Sequence, residues 1–108
     1  MTNFAYSGNK ELNVKVFQFK ESETTACFTC SHVINDKSQI LYVTHDSDGT
    51  WQFLCGNDNH TENNAKIVSL KQIVEIDQSL NNLYEMPKGV GATRKSIDDT
   101  WSPFRIAL

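Results

Sequence analysis

All three cysteines and all three histidines of this chain lie between Cys27 and His60. Two short runs hold most of them: ACFTCSH at residues 26–32 and LCGNDNH at residues 54–60. Thiolate and imidazole are donors that zinc favours, four of them arranged as a tetrahedron. Cys27-x2-Cys30 followed by Cys55-x4-His60 therefore reads as a Cys3His ligand set. Its order, pair, hairpin, pair, is the one by which ribbon-like zinc modules close a site. His32, in a Cys30-x-His32 spacing, is the alternative fourth ligand. The loop after Cys55 carries Gly56, Asn57 and Asn59, residues that accept the tight backbone of a chelating turn. The cofactor expectation is accordingly either none or one structural zinc.

The same residues have plainer readings. Cys27 and Cys30 are separated by an odd number of positions, so in a straight strand their side chains point to opposite faces. The intervening Phe28 and Thr29 supply no turn. Free cysteine is also among the most buried residue types and packs as a small hydrophobe. A redox-active Cys-x2-Cys requires a helix start after the first cysteine, whereas the residues after Cys27 favour a strand. A cysteine nucleophile at Cys55, with His45 or His60 as base and Asp46 or Asp58 to orient it, has the residue types but no local signature. The stretch Asp46–Gly49 (DSDG) is not a calcium loop, because Asn57 stands where the terminal glutamate of such a loop belongs.

These side chains need elements to position them. The runs QILYVTH (39–45) and WQFLC (51–55), separated by Asp46–Gly49, read as a hairpin. Upstream, Val14, Val16, Phe17 and Phe19 suggest a ragged strand, and Thr24–Cys30 a second one. Downstream, a short strand at Ile67–Val68 leads into a helix, with Ser69 and Gln72 as a capping box and Leu70, Ile73 and Val74 on one face. Asp77 is placed to cap a second short helix with Leu80, Leu83 and Tyr84 on its apolar side, ended by Pro87 and Gly89. Val90–Lys95 returns as a strand. The tail is apolar enough that Trp101, Phe104 and Ile106 are expected to dock on the body. Arg94 and Arg105, the two arginines, are expected at the solvated surface. The expected fold is α+β: a small antiparallel sheet with a central hairpin over about residues 39–55 and one or two short helices packed on one side.

The chain has 108 residues and a net charge of −3, with its ten basic residues scattered. That length suits a single domain, with residues 1–12 loosely ordered. No basic face is visible, which argues against nucleic acid as a partner. No apolar run is long enough to span a membrane, and the N-terminus lacks the features of a secretion signal. The expected compartment is the cytoplasm, where three cysteines stay reduced or bind metal.

The segments ACFTCSHV, ILYVTHDSDGTWQFLCG and SLKQIVEIDQSL…LYEMPKGVGATR together resemble a family of small bacterial proteins with a Cys-x2-Cys-x-His opening and a Trp-Gln-Phe-Leu-Cys-Gly hairpin end. The resemblance covers about residues 26–101 and places Cys27, Cys30, His32, His45, Cys55 and His60 at motif positions. More loosely, the chain is similar to toxin-immunity-like domains, in which a short sheet with helices presents an acidic binding surface. The resemblance implies no activity, cofactor or catalytic residue. With it, the expectation is a non-enzymatic, protein-binding domain, concretely an immunity protein that neutralises a toxin. Asp46, Asp48, Asp58 and Glu62 would then contact a basic partner. The alternative is a small structural-zinc domain, and a more distant one a thiol redox or cysteine-dependent enzyme.

Overall fold

The computed structural model describes residues 16–56 and 64–106. Its elements run β1 (Ala26–Cys30), α1 (Ser31–Asp36), β2 (Tyr42–His45), β3 (Trp51–Leu54), β4 (Ala65–Ser69), α2 (Leu70–Ile76), a 3-10 helix (Gln78–Leu83), β5 (Val90–Thr93) and β6 (Ser102–Arg105). The six strands form one sheet in the order β4-β1-β3-β2-β5-β6.

The hairpin forms where the β-branched and aromatic runs flank the Asp46–Gly49 turn. Tyr42 pairs with Leu54 and His45 with Trp51. Gly49 closes the turn with φ 94°, a left-handed value that glycine adopts without penalty, and its N–H donates to the Asp46 carbonyl at 2.9 Å. The alternation along these strands sorts the two faces. Cys27, Thr29, Val43, Trp51, Phe53 and Ala92 are buried on the inner face, and Phe19 packs its ring edge against Trp51 at 5.0 Å. Phe28, Tyr42, Gln52 and Leu54 occupy the other face.

Ser69 and Gln72 form the capping box as expected: each side chain accepts from the other's backbone N–H, at 3.1 and 2.8 Å. Such a cap is worth about 1 kcal/mol. The spacing of Leu70, Ile73 and Val74 then drives one face of α2 into the core, where all three are buried. Burial of each side chain contributes about 1.5–3 kcal/mol. Asp77 caps the 3-10 helix, accepting from the Ser79 N–H at 3.0 Å, and Leu80 and Leu83 are buried beneath it. Tyr84, expected on the same apolar side, is 38% exposed.

Several expectations change. The fold is α+β, but the sheet is mixed and larger than a small antiparallel one: β1 runs parallel to β3, with Phe28 beside Gln52 and Thr29 beside Phe53. No strand forms over Val16–Phe19; its backbone is instead held by side chains, with the Val16 N–H on Gln78 Oε1 and the Gln18 N–H on Asn81 Oδ1, both at 2.9 Å. The tail does dock, as the edge strand β6, where Pro103 pairs with Ala92. An edge tolerates proline because one side of the strand has no ladder to donate to. Arg94 is not at the surface. It is 7% exposed, its Nη2 donates to Asp77 Oδ2 at 2.7 Å, its Nε and Nη2 reach the Ile40 carbonyl, and its guanidinium lies 4.1 Å from the Trp101 ring centroid. A lone arginine in the text is here the tie between the 3-10 helix, the segment before β2 and the tail.

Candidate metal centre

β1 and β3 are parallel neighbours, so their C-terminal ends lie side by side. Cys30 ends β1 and Cys55 directly follows β3. At Cys30 the backbone is still extended (φ −121°, ψ 161°), and the chain then turns into α1 with Cys30 in the N-cap position. That turn swings His32, in the first turn of α1, back toward the end of β3. The result is a cluster: the Cys30 Sγ, a His32 ring nitrogen and the Cys55 Sγ all lie within 4.8 Å of one another. His32 Nδ1 stands 3.7 Å from Cys55 Sγ. Cys30 and Val33 are each 2% exposed, so the group sits at the margin of the core, while Cys55 is only partly buried. Asn64, just before β4, donates from Nδ2 to Ser31 Oγ at 3.1 Å and ties a second strand to the same junction.

The donor set suits zinc in kind and in spacing. A sulfur and an imidazole nitrogen held tetrahedrally at ~2.3 and ~2.0 Å from zinc are about 3.5 Å apart. The His32–Cys55 separation of 3.7 Å is close to that value, and it also fits a hydrogen bond between the thiol and the ring. In a zinc site Nδ1 would direct its lone pair at the ion; in the hydrogen-bonded arrangement one of the two atoms donates to the other.

The expected ligands divide three ways. Cys30 and Cys55 come together, and His32, the alternative ligand, joins them. Cys27 does not belong to the group. Three positions before Cys30 on the same strand, it faces the inner layer and is fully buried. Burial pushes its thiol up to about 12, away from the thiolate a metal needs. The parity of the strand decides this: no turn separates the two cysteines, so they keep opposite faces. His60 lies outside the described residues.

His45 is engaged elsewhere. It is 4% exposed, stacks on Trp51 with ring centroids 4.0 Å apart, and its Nδ1 bonds the Met86 carbonyl at 2.8 Å. A carbonyl only accepts, so Nδ1 carries the proton and Nε2 faces Glu21 Oε2 at 3.7 Å. Glu21 also accepts from Trp51 Nε1 at 2.8 Å. His45 is therefore a packed core histidine and not a base for Cys55. It is the neighbouring helix, which the sequence reading missed, that brings an imidazole to that thiol.

Of the acidic residues expected to meet a partner, Asp58 and Glu62 lie outside the described residues. Asp46 is half-buried and accepts from Gln52 Nε2 at 2.8 Å. Asp48 is exposed at the hairpin tip, where the Thr50 N–H on its carboxylate holds it below the usual range. Both shape the turn.

Among the described residues, no helix is long and apolar enough to cross a membrane. Comparison of the chain with family models, curated proteins and solved structures found no match.

Proposed function

We propose that the protein is a small non-enzymatic domain in which Cys30, His32 and Cys55 hold one structural zinc ion. The convergence of two sulfurs and an imidazole within 4.8 Å, from the ends of two parallel strands and the helix between them, carries this reading. A structural ion supplies no reaction. It fixes the β1–α1 junction against the end of β3 and contributes its binding free energy to folding. His60 is the sequence's candidate for the fourth position. Melting the as-purified protein with and without EDTA tests the reading: a large drop in Tm on chelation, reversed by added zinc, supports it, and an unchanged melt removes it.

A second reading, binding of another protein, is favoured by an apolar pair on the outer face. Phe28 and Ile67 are register neighbours on β1 and β4, 39% and 68% exposed. Exposed apolar side chains that adjoin one another mark contact surfaces more often than isolated ones do. The concrete form of this reading is immunity to a basic toxin, with Asp48 at the hairpin tip available to it. The two readings are compatible, since an ion bound at the end of β1 would brace the strand that carries Phe28. A pull-down with the product of a toxin gene adjacent to this one tests it, and failure to form a complex removes the immunity form.

A further inference from the structure

We propose that Cys30 and Cys55 form a reversible redox pair whose oxidation to a disulfide dismantles the group that holds the metal. The disulfide stands on geometry alone; only its effect on zinc rests on the function proposed above.

The two sulfurs already lie within 4.8 Å of each other. The parallel pairing of β1 and β3, Phe28 beside Gln52 and Thr29 beside Phe53, sets Cys30, the last residue of β1, and Cys55, the first after β3, at one end of the sheet. Cys55 lies beyond the last residue of β3 and precedes Gly56 (φ 84°). A disulfide requires the sulfurs to close from that separation to about 2.05 Å.

The environment also divides the roles. Cys55 is partly exposed and has His32 Nδ1 at 3.7 Å, whereas Cys30 is 2% exposed. Cys55 therefore meets a peroxide first. The Cys55 sulfur attacks one oxygen of hydrogen peroxide, breaking the O–O bond. Cys55 becomes a sulfenic acid, and the departing hydroxide leaves as water with the thiol proton, or with a proton from solvent where the sulfur is held by zinc. The Cys30 sulfur then attacks the sulfenic sulfur; the S–O bond breaks, and the hydroxyl leaves with the Cys30 proton as a second water. Two thiols are oxidised by two electrons and one peroxide is reduced to two waters. Cys27 takes no part, because it faces the inner layer.

A zinc-bound sulfur cannot also be in a disulfide, so oxidation takes two donors from the ion and leaves His32. Reduction by a dithiol restores them.

The test is to expose the full-length protein, EDTA-treated and zinc-loaded, to equimolar hydrogen peroxide, alkylate it under denaturing conditions and map the peptides by mass spectrometry. The expected product is a Cys30–Cys55 linkage within one chain, with Cys27 alkylated, reversed by dithiothreitol. The Cys27→Ala variant should give the same linkage. In the zinc-loaded sample a chromogenic chelator should register release of zinc in step with the linkage. Alkylation of both Cys30 and Cys55, Cys55 found as sulfinic acid or in chains cross-linked to each other, or a bond to Cys27 would each overturn the redox pair. Zinc retained by the linked protein would overturn the coupling. A linkage in protein that never binds zinc would leave the pair standing and remove the zinc function.

Discussion

His32 Nδ1 lies 3.7 Å from Cys55 Sγ although 23 residues separate them in the chain. Two features of the backbone produce that contact. Parallel pairing of β1 and β3 sets Cys30 and Cys55 at the same end of the sheet. The helical turn that follows Cys30 immediately then aims the histidine at the end of the neighbouring strand. A chain in which β1 ran antiparallel to β3 would put these residues at opposite ends of the sheet.

Substitution separates the ligands from their sequence neighbour. His32→Ala should weaken zinc binding at least tenfold, as loss of one donor does, and lower the zinc-loaded Tm. Cys27→Ala should keep the metal and lose about 1 kcal/mol or more of stability through the space left in the core. Competition with a chromogenic chelator, alongside urea denaturation of each variant, checks both. Loss of metal in Cys27→Ala would restore the Cys-x2-Cys reading.

Cys27 also predicts an alkaline dependence of stability. Its folded thiol is raised to about 12 from the ordinary 9.0 by burial. In the unfolded chain the thiol therefore loses its proton first, so the contribution is fully present below pH 9.0 and disappears as pH rises toward about 12. Urea midpoints measured from pH 8 to pH 10.5 should fall more steeply for the natural protein than for Cys27→Ala. Parallel curves would show that this thiol is not buried as described.

Arg94 is expected to be the most costly charged residue to remove. Arg94→Ala leaves Asp77, whose side chain is 6% exposed, as a buried carboxylate without its partner. Breaking a buried pair in this way costs about 3–5 kcal/mol. Lys95→Ala, at the exposed neighbouring position, should change stability by less than about 0.5 kcal/mol. Chemical denaturation of the two variants side by side gives the comparison.

Gly91 is required by contact. A Cβ added there would stand 2.5 Å from Phe104 Cζ and 2.9 Å from the Val43 carbonyl oxygen. Gly91→Ala must therefore displace the Phe104 ring from its place beside Tyr42, at a cost of about 1–3 kcal/mol. In a double-mutant cycle, Phe104→Ala should recover part of that loss, the backbone oxygen keeping the remainder.

The parts of this fold that were legible in the sequence are those set by local chemistry. The Asp46–Gly49 turn, the Ser69–Gln72 capping box, the apolar face of α2 and the cap at Asp77 each need only a few adjacent residues, and each formed where expected. The parts that were not legible depend on distant partners. Alternation gives β1 its two faces but not its neighbour, so the parallel pairing with β3 was out of reach. The segment SHVIND has no capping side chain at Cys30 and too few residues to show a helical period, which hid α1 and with it the position of His32. The tail was expected to dock, but nothing local announced it as the edge strand β6, in which Pro103 pairs with Ala92. Arg94 drew the surface prior because its acceptors, Asp77 and the Ile40 carbonyl, are 17 and 54 positions away. For the candidate site, the odd spacing of Cys27 and Cys30 did carry the decisive information: a strand without a turn cannot direct both thiols to one ion.

The metal content of the purified protein tests the central claim most directly. Native mass spectrometry of protein prepared without chelator should show one zinc per chain, and the Cys30→Ser/Cys55→Ser variant should show none while remaining folded by circular dichroism. A natural protein free of metal after growth and refolding in zinc, or a variant that still carries one equivalent, would contradict the assignment of these residues as its ligands.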